Sequence, residues 1–132
     1  MTWSLVARLS LFGLAMALGT VFFVPPNAEP LRWLPIFIAC AMLIARGTSR
    51  HRFFHGSLLG LGNGVWVTGA HVIFAERYLA GHADEAGFLA STPLSSSPRL
   101  AMALTAPVIG VISGMIIGLL ALAAARVLRQ RS

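Results

Sequence analysis

The chain has 132 residues, of which 57% are apolar and only 11% charged. A soluble domain keeps about a quarter of its residues charged, so this composition excludes an ordinary soluble domain, together with disordered, collagen-like and disulfide-rich chains. What remains is an integral membrane protein whose net charge of +6 comes from ten arginines, no lysine and four acids.

The charges cut the chain into four uncharged windows. A helix needs about 20 apolar residues to cross a hydrocarbon core of about 30 Å. The first window, 9–28, has 20 residues. Arg8 ahead of it gives the outline of a signal peptide, but no A-x-A cleavage pattern follows, and Pro25 and Pro26 stand just ahead of the site. A retained helix over about 5–24 is predicted, stopped by two residues that lack the N–H a helix needs. The second window, 33–45, has only 13 residues, about 20 Å of helix. Arg32 and Arg46 can snorkel their heads to the interface, which extends the span to about 31–48. A re-entrant or interfacial segment is the alternative there. The third window, 53–75, predicts a span over about 55–77. The fourth, 100–125, is long enough to tilt or protrude, and Pro107 is placed to kink it. An external loop over about 80–99 separates the last two. It holds Asp84 and Glu85, and is either a flexible connector or the seat of a short interfacial helix starting at Asp84.

Four spans put both termini on one side. With that side cytoplasmic, Arg8, Arg46, Arg50, Arg52, Arg126, Arg129 and Arg131 lie inside, while Glu29, Glu76, Asp84 and Glu85 all lie outside. That sorting follows the positive-inside rule. A three-span arrangement with the N-terminus outside trades Arg8 for Arg32 and agrees with the rule equally well; the Pro-Pro turn favours a hairpin, and hence four spans. The expected fold is an all-α integral membrane protein: one domain over 1–132, an antiparallel four-transmembrane-helix bundle, with three spans plus one re-entrant or interfacial segment as the alternative. The expected location is a bacterial inner membrane with both termini cytoplasmic. Nucleic acid is not an expected partner, because the arginines flank apolar runs and form no basic face.

Glycine spacing is the most specific signal. Gly56, Gly60 and Gly64 repeat every four residues in the third window, and Gly110, Gly114 and Gly118 do so in the fourth. Residues four apart share a helix face. In lipid, where association rests on van der Waals packing, a strip of glycines lets another backbone come close. The spacing leaves open whether the strips meet each other or a second copy of the chain. Thr68 and His71 fall near the first strip, and Asn63 on its flank. Polar groups at this depth are costly unless paired or facing a cavity. Asn63, Thr68 and His71 are therefore candidates for a polar site, or for interhelical hydrogen bonds that set register.

His51 and His55 are four apart, a spacing that suits zinc or haem iron, but no cysteine or carboxylate nearby completes a site. The plainer reading is a basic interfacial cluster in which Arg46, Arg50 and Arg52 meet lipid headgroups. Cys40 is the only cysteine, so an intrachain disulfide and a CxxC site are both excluded. No carboxylate lies inside a window to activate a serine or threonine, and P-loop, dinucleotide and HExxH motifs are absent. No catalytic residue, metal or cofactor is expected. The leading functional expectation is a non-enzymatic subunit, accessory or assembly factor, packing through its glycine faces into a homo-oligomer or larger complex. The alternatives are a small transporter or permeation protein with His71 on a polar path, and a membrane enzyme or haem or metal carrier.

Overall fold

A computed structural model describes residues 2–130; Arg131, counted above among the cytoplasmic charges, lies outside them. The described chain is helical and contains no strand. Helix α1 (Trp3–Phe22) ends before Pro25, which is extended, and Pro26 opens a short 3-10 turn, Pro26–Ala28. Helix α2 (Glu29–Gly47) follows with Pro30 in its first turn, where a missing N–H costs nothing. Its 19 residues give about 28 Å of helix, because Glu29 to Arg32 and Arg46 join the uncharged stretch. Pro35 lies within this helix. Helix α3 (Arg52–Ile73) comes next, then α4 (Ala75–Gly81), α5 (Ala83–Ala90) and the 33-residue α6 (Pro98–Gln130).

Three segments are long and apolar enough to cross a membrane: Trp3–Phe22, Pro26–Gly47 and Pro98–Gln130. A fourth is counted when α3 and α4 are taken together, although the two are bent by 93°. The region 55–77 is thus not one straight helix. It breaks at Phe74, just before Glu76 and Arg77, so the chain turns aside where its charges begin. The Val72 carbonyl at the break accepts a hydrogen bond from Arg99 Nε–H at 3.1 Å, which partners a group the helix end leaves free. Residues 80–99 are largely taken up by helix and turn. Asp84 and Glu85 occupy the first turn of α5, where acidic groups complement the helix dipole.

The long helices alternate in direction. The Pro-Pro turn, α4 and α5 gather at one end, here the loop end; Thr2, the 48–51 turn and the C-terminus of α6 gather at the other, the terminal end. All four acids sit near the loop end. Six of the nine described arginines sit near the terminal end.

The most extensive packing joins α3 to α6. The two glycine strips face each other in antiparallel order. Gly56 lies against Gly118, Gly60 against Gly114, and Gly64 against Gly110. From the other side, a Cβ on Gly114 would sit 2.6 Å from the Ser57 carbonyl oxygen, and one on Gly118 would sit 2.8 Å from that of Phe53. These are backbone contacts, which no rotamer change can relieve. The strips are therefore used within the chain. Helix α1 packs on α3 and runs parallel to it, and α2 packs on α6. The core has two parts. Leu9, Cys40, Ile44, Leu59 and Ile117 fill the terminal half. Ala17, Val21, Tyr78, Leu89 and Met102 fill the loop half.

Candidate functional site

In the terminal half, α2 is held against α6 through Cys40, Ala41, Ile44, Ile117 and Ala121. Towards the loop end the space between these helices widens into a cavity of about 410 Å³. Trp33 and Phe37 of α2 line one wall, and Thr105, Ile109 and Ser113 of α6 another. Asn63, Thr68 and His71 of α3 form the floor, and Glu29, Tyr78 and Glu85 surround the loop end. Thr105 and Ile109 are exposed, so the cavity has an open side. The three polar residues expected from the sequence are thus brought to one surface.

Asn63 is 3% exposed, and neither its Oδ1 nor its Nδ2 has a hydrogen-bond partner. Its side chain fits against α1 because position 13 is glycine; any Cβ there would overlap the Asn63 amide. A buried amide left unpaired costs about 1–3 kcal/mol. Asn63→Leu, which keeps a similar outline without the polar atoms, should therefore leave thermal stability in detergent unchanged or raise it by up to that amount. A clear fall in melting temperature would show that the amide has a structural partner.

The hydrogen bonds around His71 assign its tautomer. Thr20 Oγ1 donates to the Ala17 carbonyl at 2.9 Å. It can then only accept from His71 Nε2–H, also at 2.9 Å. In the neutral ring Nδ1 keeps a lone pair. The bend at Phe74 carries Tyr78 back over this ring. The His71 and Tyr78 rings stack at 3.7 Å, and Tyr78 and His82, one turn apart on the α4 side, stack at 3.9 Å. Tyr78 O–H donates to Glu85 Oε2 at 2.6 Å. His82 Nδ1–H donates to the Tyr78 carbonyl at 2.8 Å, and Nε2 lies 2.6 Å from Glu29 Oε1. Since Nδ1 must carry a proton, a second proton sits between Nε2 and the carboxylate. Whichever atom holds it, the His82–Glu29 couple is neutral overall, and Glu85 supplies the uncompensated negative charge.

Sequence reasoning left Glu29, Tyr78, His82 and Glu85 outside the predicted spans and missed them as site residues. The only local signals were the i, i+4 spacing of Tyr78 and His82 and the gathering of all acids near one end. Thr20 carried no signal.

At the terminal end, His51 and His55 do not converge as a ligand pair. His51 is in the left-handed region with φ 56°, and its carbonyl accepts from His55 Nδ1–H at 2.8 Å. His55 Nε2 in turn accepts from the Thr2 backbone N–H at 3.0 Å. Both ring nitrogens of this buried histidine are thereby occupied, Nδ1 on the start of its own helix and Nε2 in tying the start of α1 to α3. Arg46 and Arg50 are exposed around this turn and Arg52 is half-buried. No group of three His, Cys, Asp or Glu side chains among the described residues is placed to hold a metal ion. Comparison with known protein families, characterised proteins and solved structures finds no match.

Proposed function

We propose that the protein is a four-span membrane protein that receives a small solute in the loop-end cavity, as a binding or permeation device. The observation that carries this reading is the cavity of about 410 Å³ itself, lined by His71, whose Nδ1 lone pair has no partner in the chain. Thr68, Thr105 and Ser113 add hydroxyl-bearing residues to the same lining. A role as a subunit or assembly factor leaned on glycine faces open to a partner. Here those faces close on each other, so the weight shifts to the cavity. The charge distribution supports a terminal end in the cytoplasm of a bacterial cell and a loop end outside.

Cysteine accessibility tests both statements in one background, with Cys40→Ala removing the native thiol. Asn27→Cys, on the exposed turn between α1 and α2, is expected to react in intact cells with a membrane-impermeant maleimide. Thr68→Cys, at a half-buried position in the cavity lining, is expected to react with a small water-soluble methanethiosulfonate in the folded protein. A silent Asn27→Cys overturns the orientation. A Thr68→Cys that reacts only after denaturation shows a closed interior and overturns the solute-binding reading.

A further inference from the structure

We infer that the cavity is selective for a monocation carrying an apolar tail, with a primary alkylammonium as the simplest member of the class. This deepens the solute-binding reading and rests on it. The first argument is charge sorting. The chain has ten arginines and four acids, yet two of those acids, Glu29 and Glu85, line the cavity and no arginine does. With Glu29 neutralised by the proton it shares with His82, the half-buried Glu85 is the carboxylate that gives the cavity its negative character. Tyr78 O–H occupies one Glu85 oxygen, which leaves the other to accept from a ligand.

The second argument is the lining. The Trp33 and Phe37 rings, 5.6 Å apart, share the wall, and aromatic faces attract cations. Both faces of Tyr78 are already covered by histidines, so Trp33 and Phe37 are the rings left for this task. His71 Nδ1 is an acceptor without a partner, matching a ligand that carries N–H donors. The third argument is continuity. An apolar groove of about 720 Å³, bounded by Phe88, Leu94, Leu104 and Val108, shares Thr105 and Ile109 with the cavity. An alkyl tail can leave the polar chamber along it.

The test uses the full chain in nanodiscs and calorimetric titration, corrected for uptake by empty nanodiscs. The probes are hexylammonium, hexan-1-ol and hexane-1-sulfonate, which share a tail and differ in the charge of the head. Hexylammonium is expected to bind one per chain, at least tenfold tighter than the alcohol, with the sulfonate not bound. Glu85→Gln, which keeps an acceptor for Tyr78, is expected to cost hexylammonium at least tenfold and leave the alcohol unchanged. Equal binding of amine and alcohol, insensitivity to Glu85→Gln, or binding of none of the three overturns the cation assignment. If Thr68→Cys is still labelled in that event, the cavity reading survives without it; if it is not, both fall together.

Discussion

Gly60→Leu is expected to prevent assembly of the bundle. The Cβ of any residue at 60 would run into the backbone of Gly114 and the carbonyl of Gly110. Overpacking that side chains can absorb costs about 1–3 kcal/mol. Here the obstacle is backbone on a rigid helix, so α3 and α6 must separate, and the contacts of Gly56 and Gly64 along the same seam go with them. The check is size-exclusion profile and thermal unfolding in mild detergent. The control is Gly69→Ala, which sits on the same helix with no atom within 4 Å of its new Cβ. It should be neutral or should stabilise by up to about 1 kcal/mol, as expected for replacing glycine in a helix. A monodisperse Gly60→Leu with an unchanged melting temperature would falsify the seam.

His82→Ala is expected to loosen the loop end by about 2–3 kcal/mol. Removing one partner of a fully buried ion pair costs about 3–5 kcal/mol. The His82 side chain is 7% exposed and the Glu29 side chain 21%, so water recovers part of the loss. The substitution also removes the ring that covers one face of Tyr78. Glu29→Ala should cost a comparable amount. The double variant should be clearly less destabilised than the sum of the two, because each single change already abolishes the shared contact. Additive losses would mean that the two groups do not act as a pair. The Arg99–Glu76 contact serves as a contrast. At 3.9 Å between largely exposed groups, its loss should be hardly measurable.

These two cases also separate what could be read early from what could not. The glycine seam was half legible. A four-residue spacing marks a face on any helix, and both strips were visible as numbers in the sequence. Which surface each strip meets is a different question, because periodicity describes one helix and a contact needs two. The polar site was less legible. Asn63, Thr68 and His71 stood out because polar groups inside apolar windows are expensive. Glu29, His82 and Glu85 lie outside the windows, where polar residues are ordinary and draw no attention.

The sequence by itself determined that the chain is helical and greasy enough for a membrane, where its glycine faces run, and that its acids gather towards one end. Each of these follows from composition or from spacing within a single segment. Only the tertiary structure decided that the glycine faces meet each other, that α3 breaks at Phe74, and that a cavity opens between α2 and α6. Thr20 and His71 are 51 positions apart, and Glu29 and His82 are 53 apart. No local rule joins such pairs. Their geometry follows from close backbone packing along one seam and from a bend that folds α4 back over the bundle.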